Sequence, residues 1–255
     1  MVTKQIKTSI GDISISTKTV EGSVPIILLH GVYFDHNLWN HQVERILDRT
    51  VVTVDMPFHG LSKNITNTNW SLDDCAVMLL EILDELKIDK VIAVGHSWGS
   101  MTILRAAEKD PGRFLALGLC NMPFKKPTKK EVRQIKLQHS ALLFRKFYMQ
   151  QAGKSLMGKE LLAKNPNLLD KLITPMMKLS NKEIKYTDKA VRIEAKETSQ
   201  SIRNLAIPVF ALVGEEDYVG LPPIKETKIV RGGHVSPLEV PEEVYNFIKK
   251  VIEKK

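Results

Sequence analysis

The segment Gly95-His96-Ser97-Trp98-Gly99 carries the strongest chemical signal in this chain. It follows the apolar run Val91-Ile92-Ala93-Val94 and leads into a helical pattern from Trp98 to Lys109. A buried strand that turns sharply into a helix lifts the residue at the turn above the sheet edge. There the free N–H groups and the dipole of the helix favour a developing oxyanion. Gly95 and Gly99 leave room for strand and helix to approach. A serine hydroxyl is a weak nucleophile until a base takes its proton. That base is expected to be a histidine, itself oriented by a carboxylate. Of seven histidines, His234 stands in Arg231-Gly232-Gly233-His234, just past a short strand from Lys228 to Val230. The glycines let its loop reach back over the sheet edge. Asp217 stands in Gly214-Glu215-Glu216-Asp217, directly after the apolar run Val209 to Val213. Glu215 and Glu216 are the neighbouring alternatives to it.

These residues need a sheet to position them. Thr3 to Ser9 and Ile13 to Thr17 read as a hairpin turning at Gly11-Asp12. Short apolar runs follow at Ile26–Leu29, Val51–Val54, Val91–Val94, Leu115–Cys120 and Val209–Val213. Such runs suit strands buried on both faces of a parallel sheet. Helical patterns separate them. Leu38 to Leu47 is one. Ser71 to Leu86 is another, with Ser71 and Asp74 as a capping box and an apolar stripe behind it. Pro241 opens the last helix, with Glu242 and Glu243 in its first turn. The stretch from Pro123 to Arg203 breaks the rhythm. It contains no convincing strand, and Thr128 with Glu131 and Ser180 with Glu183 form two further capping boxes. Asn165-Pro166 and Thr174-Pro175 punctuate its middle. The expected fold is α/β: a mostly parallel eight-stranded sheet with helices on both faces. Residues 1–122 and 204–255 form its core, and residues 123–203 form an all-helical insertion of three or four helices.

At these residues the chain resembles the α/β-hydrolase family over nearly its whole length. His30-Gly31 follows the third strand, with Trp39 in the helix beyond. Asp55-Met56-Pro57-Phe58-His59-Gly60-Leu61-Ser62 resembles the family's turn after the fourth strand. Ser97 is in the elbow, Asp217 follows Gly214 by three residues, and His234 is the late histidine. The resemblance implies that the insertion is a cap, or lid, over the active site. It also implies an oxyanion hole made of two backbone N–H groups, those of Val32 and Trp98. Two departures narrow the chemistry. His30-Gly31-Val32-Tyr33-Phe34 replaces the His-Gly-Gly-Pro-Gly of proline-iminopeptidase-like members, which argues against aminopeptidase work. Ser97 stands where dehalogenases and epoxide hydrolases of the family carry aspartate.

The remaining histidines carry no H-E-x-x-H or other metal spacing. His30 and His59 are expected to shape loops, His96 to pack against neighbouring strands, and His36, His41 and His139 to lie at the surface or pack. Asp55 is expected to form a turn. Cys75 and Cys120 are too few for a disulfide framework and suit small core positions. Phe144, Phe147, Tyr148, Met149, Met176 and Met177 are expected to pack the cap.

The chain has 255 residues, 43% hydrophobic and 26% charged, a composition that excludes disordered and collagen-like classes. No apolar run reaches the roughly 18 residues a membrane span needs. The N-terminus lacks a secretory apolar region, so the expected compartment is the cytoplasm. The net charge of +8 is uneven. Pro123 to Arg203 holds nineteen Lys and Arg against seven Asp and Glu, while the rest of the chain is net acidic. A Lys-rich solvated surface explains this most simply. The alternative is a patch for an anionic partner: acyl carrier protein, coenzyme A or anionic lipid. No nucleic-acid-binding signature accompanies the charge.

The expected function is a serine hydrolase, with no cofactor, that cleaves a small-molecule carboxylic ester or thioester through an acyl-enzyme. Ser97, Asp217 and His234 carry the reaction. A receptor-like binding protein, a carbon–carbon-bond hydrolase and a perhydrolase share the same residues and stay open.

Overall fold

The computed structural model describes residues 1–254. Eight strands form one sheet: β1 (Val2–Lys7), β2 (Asp12–Lys18), β3 (Ile26–Leu29), β4 (Val51–Val54), β5 (Val91–His96), β6 (Phe114–Cys120), β7 (Val209–Gly214) and β8 (Thr227–Val230). Their order is β1-β2-β4-β3-β5-β6-β7-β8. The pairs β1–β2 and β2–β4 are antiparallel and all others are parallel. The hairpin reverses two residues earlier than its Gly-Asp pair suggests, at Ser9-Ile10: Thr8 and Gly11 exchange backbone hydrogen bonds, and Asp12 already pairs with Lys7.

Every residue of β3, β4 and β5 is buried. The period-2 geometry of a strand divides these residues between two cores. Ile27 and Leu29 of β3 join the core that holds the helices α2 (Leu72–Glu85) and α3 (Trp98–Lys109). Ile26 and Leu28 join the core on the opposite face. That second core contains Val43 of α1 (Asn40–Arg45) together with Val244, Phe247, Ile248 and Val251 of the final helix. Ser71 caps α2 with Asp74 as its reciprocal partner. The expected helix at Leu38–Leu47 is shorter: a 3₁₀ turn, His36–Trp39, precedes α1.

No strand forms between β6 and β7 among the described residues. The chain there makes α4 (Lys129–Gln138), α5 (Arg145–Leu156), α6 (Lys159–Lys164), α7 (Asn167–Met177), α8 (Asn181–Thr187) and α9 (Ser199–Asn204). These are six short helices, more than the three or four expected. Thr128–Glu131 and Ser180–Glu183 cap α4 and α8 as reciprocal boxes. Pro175 does not interrupt the chain; it lies in the last turn of α7, where only Met176 and Met177 follow it. The apolar residues named for this segment divide. Tyr148, Met149 and Met176 are buried, whereas Phe144, Phe147 and Met177 are exposed. After β8 come α10 (Ser236–Glu239) and α11 (Pro241–Glu253), the latter opened by Pro241. None of the described helices is long and apolar enough to cross a membrane.

The strand order places β4 on one side of β3 and β5 on the other. A crevice opens outside the carboxyl ends of the strands at such a reversal. The loops that leave β3, β5, β6, β7 and β8 at that edge carry the residues described next.

Candidate active site

Ser97 occupies the sharp turn between β5 and α3 with φ of +50°. A non-glycine residue in this region carries strain and persists only where its surroundings hold it. Here Ser97 N–H donates to the Cys120 carbonyl at 2.8 Å and Gly99 N–H donates to the His30 carbonyl at 3.1 Å. The glycines are sterically required. A Cβ on Gly99 would lie 2.2 Å from the Leu29 carbonyl oxygen, and one on Gly95 would lie 2.3 Å from the Ser100 nitrogen.

The Ser97 hydroxyl lies 2.9 Å from His234 Nε2, and His234 Nδ1 lies 2.9 Å from Asp217 Oδ1. The structure thus brings together the three side chains expected from the sequence. Both Ser97 and His234 are buried. Burial pushes the Asp217 carboxyl up, but His234, the Asn121 amide and the Val219 N–H outweigh it and hold the pKa below the ordinary aspartate value. Glu215 is exposed, and the Glu216 carboxylate accepts from Lys159 N–H, so neither neighbour replaces Asp217.

The N–H groups of Val32 and Trp98 find no acceptor among the described residues. Phe34 N–H closes a turn onto the Gly31 carbonyl at 3.3 Å, with Tyr33 at φ +75°. This leaves Val32 at the turn's outer corner. Trp98 is the first residue of α3 and has no partner one turn back. The two loops adjoin, because a Cβ on Gly31 would lie 3.1 Å from Ser97 Cβ.

His30 and His59 hold loops. His30 Nε2 accepts from Met56 N–H at 2.9 Å, and His59 Nε2 accepts from Tyr33 N–H at 3.1 Å. Burial, followed by the proximity of His30, lowers the His59 pKa to about 3. His96 does more than pack: its Nε2 lies 2.7 Å from the His234 carbonyl oxygen, to which a neutral ring donates. Burial, then His234, lowers its pKa to about 3, so it stays neutral. Asp55 makes its expected turn by accepting from Leu61 N–H at 2.9 Å. Two histidines expected at the surface or in packing are paired with buried carboxylates instead. His36 contacts Asp55 at 2.9 Å, and His139 contacts Asp188 at 2.9 Å. His41 contacts Glu242 at 3.0 Å on the surface.

Sequence reasoning missed several residues. Asn121, directly after β6, donates to Asp217 Oδ2 at 2.7 Å and to the Gly233 carbonyl at 3.2 Å. The Tyr218 ring lies 4.7 Å from that of His234. Glu239 is buried and accepts from Gly158, Gly233 and Val235 N–H groups. Tyr33 O–H donates to Asp188 at 2.7 Å, and Asp188 also receives Arg192 at 3.1 Å. The position of Asn121 at a strand's carboxyl end was a usable signal. Glu239 and Asp188 had none.

Residues 24–172 match the family model described as the alpha/beta hydrolase fold. The dihydrolipoyllysine-residue acetyltransferase component of an acetoin cleaving system from Pseudomonas putida is 36% identical over 101 residues, 39% of this chain and 27% of that protein. The 3-oxoadipate enol-lactonase 1 of Acinetobacter baylyi is 31% identical over 110 residues, 43% of this chain and 41% of that protein. The chain thus spans well under half the length of these curated relatives. A thermophilic esterase from Thermogutta terrifontis superposes with a TM-score of 0.85 at 20% identity, covering 100% of this chain and 99% of that one. With the matched model extending over more than half its length, the chain belongs to the alpha/beta hydrolase fold family.

Proposed function

We propose that the protein is a serine hydrolase that cleaves a carboxylic ester or thioester through an acyl-enzyme. The observation that carries this reading is the hydrogen-bonded series Ser97, His234, Asp217. His234 Nε2 takes the Ser97 proton as Oγ attacks the acyl carbonyl. Asp217 holds the imidazole tautomer and stabilises the imidazolium. The Val32 and Trp98 N–H groups receive the oxyanion. His234 then protonates the leaving alkoxide or thiolate. Water, activated by the same imidazole, attacks the acyl-enzyme and releases the acid. The esterase and enol-lactonase named above support ester-type substrates.

Residues 123–203 act in this proposal as a cap over the site. His234 N–H donates to the Leu156 carbonyl at 2.6 Å, and Tyr33 donates to Asp188, so the segment touches the base and the oxyanion loop. On the same segment a groove of about 560 Å³ is lined by Lys126, Lys129, Arg133 and Lys136 around Val132 and Leu137. No carboxylate lines it. We extend the proposal to acyl donors whose anionic leaving portion would lie in this groove. Added salt is expected to slow hydrolysis of an anionic acyl thioester far more than that of a neutral p-nitrophenyl ester. Equal salt responses would remove the anionic preference.

The central test is covalent labelling by a fluorophosphonate with steady-state assay of p-nitrophenyl esters. Ser97→Ala is expected to abolish labelling and lower kcat by roughly 10⁴-fold or more with the fold intact. Labelling that persists in the variant would sink the proposal. A burst followed by negligible turnover would assign the pocket to a receptor.

A further inference from the structure

Glu239 is a buried carboxylate that takes no part in the mechanism above. It follows His234 by five residues, in α10. One oxygen, Oε1, lies 3.1 Å from Gly233 N, and the other, Oε2, lies 3.1 Å from Gly233 N and 3.0 Å from Val235 N. The two N–H groups that flank His234 therefore both donate to one side chain. Oε1 also accepts from Gly158 N–H at 2.6 Å. Gly158 lies in the link between α5 and α6, in the segment inserted between β6 and β7.

The same link touches the histidine loop directly. His234 N–H donates to the Leu156 carbonyl at 2.6 Å. Gly158 and Gly233 admit this approach. A Cβ on Gly158 would lie 2.6 Å from Gly232 Cα, and one on Gly233 would lie 2.6 Å from the Leu156 oxygen. Three consecutive N–H groups, those of Gly233, His234 and Val235, are thus all satisfied by Glu239 or by Leu156. Each backbone donor is single and obligatory, so the peptide planes on both sides of His234 are set by these partners. Charge-assisted hydrogen bonds to a carboxylate are the stronger kind.

We infer that Glu239 is a positioning residue for His234, fastening the histidine loop to the Leu156–Gly158 link so that the imidazole is aimed at Ser97 only when that link is seated. The inference rests on the triad reading. It gives the inserted segment a second role beside covering the site: its position and the aim of the base are coupled through one carboxylate. Glutamine at this position keeps the size but presents an NH₂ toward N–H groups, so at least one of the three bonds is lost.

The test compares the full-length wild type with Glu239→Gln, Glu239→Asp and Gly158→Ala, with Glu216→Gln as the control. Glu216 bonds the N–H of Lys159, the first residue of α6 after that link, through its carboxylate, but is not among the partners of the Gly233, His234 and Val235 N–H groups. Steady-state hydrolysis of p-nitrophenyl acetate is measured alongside active-site titration and the fluorophosphonate labelling rate. In Glu239→Gln, kcat per titrated site and the labelling rate are expected to fall together by roughly 10- to 100-fold. KM should stay within about twofold. The downfield NMR resonance of the His234 proton shared with Asp217 should shift or broaden. Glu239→Asp, one methylene shorter but still charged, should recover part of the loss, and Glu216→Gln should match the wild type.

A folded Glu239→Gln with wild-type kcat per site overturns the inference. So does a loss explained wholly by fewer titratable sites, which is the signature of a purely structural role. If Glu239→Gln fails to fold, Gly158→Ala decides. It displaces the link without altering the carboxylate, and an undiminished kcat per site there overturns the inference. Failure of the wild type itself to label overturns the triad reading instead, which keeps the two failures distinct.

Discussion

Asp55 accepts from the backbone N–H and the imidazole of His36 as well as from Leu61 N–H. The hydrogen bond to Asp55 raises the His36 pKa against the opposing effect of burial. Burial raises the Asp55 carboxyl, but His36, His30 and the Leu61 N–H outweigh it and hold it low. His36 binds its proton more tightly in the folded state. Its contribution is therefore full below about pH 6.5 and fades as pH rises through the higher folded pKa. Asp55 contributes fully above about pH 4 and loses its contribution on further acidification. His36→Gln is thus expected to cost more stability at about pH 5.5 than at about pH 9, read from urea midpoints at both values. Equal costs would show that the pair does not titrate as described. Asn121 is the other residue whose partners decide its effect. Asn121→Ala leaves Asp217 Oδ2 and the Gly233 carbonyl without this donor, at an expected cost of about 1–3 kcal/mol. Denaturant unfolding measures it, together with a lower kcat.

At the scale of elements, the β5–α3 elbow depends on backbone contact that no side chain can share. Gly99 faces the Leu29 carbonyl, which belongs to a central strand and cannot yield as a flexible side chain would. Gly99→Ala is expected to destabilise by about 1–3 kcal/mol or more and to suppress fluorophosphonate labelling. A variant with unchanged urea midpoint and labelling would show that the elbow tolerates a wider separation of β3 and α3. The elbow, the capping boxes and the doubly buried strands were all legible in the residues. The shorter helices between β6 and β7 were not. Gly158 and Asn165-Pro166 separate α5, α6 and α7, whereas Thr174-Pro175, which reads as the same kind of breaker, falls in the last turn of α7.

Across the whole molecule, the segment between β6 and β7 meets the core through buried polar groups. Asp188 has no exposed surface and is shared by Tyr33, His139 and Arg192. Tyr33, on the loop after β3, in turn donates its N–H to His59 Nε2 on the loop after β4. Removing one partner of a buried charged set leaves the others uncompensated. Asp188→Ala is expected to cost about 3 kcal/mol, to raise hydrogen exchange over residues 181–194 and to lower kcat. Fast exchange with no loss of activity would separate the segment's stability from the reaction. The outer face of the segment differs in character: Leu137, Leu143, Phe144 and Phe147 are exposed beside its many lysines.

The local features of this protein follow from rules that act within about a dozen residues. Strand burial, helix starts and the elbow glycines are set by periodicity, capping and steric fit, so the residues alone specify them. Ser97, Asp217 and His234 were legible as a set for the same reason, since each lies within four residues of the carboxyl end of a strand. The groups that hold this constellation were not. Asn121 meets Asp217 across 96 positions, and Tyr33 meets Asp188 across 155. Glu239 is close to His234 in sequence, yet its third donor comes from Gly158, 81 positions away. A polar side chain acquires such a role only when folding buries it beside a distant donor, and no neighbouring residue records that encounter in advance.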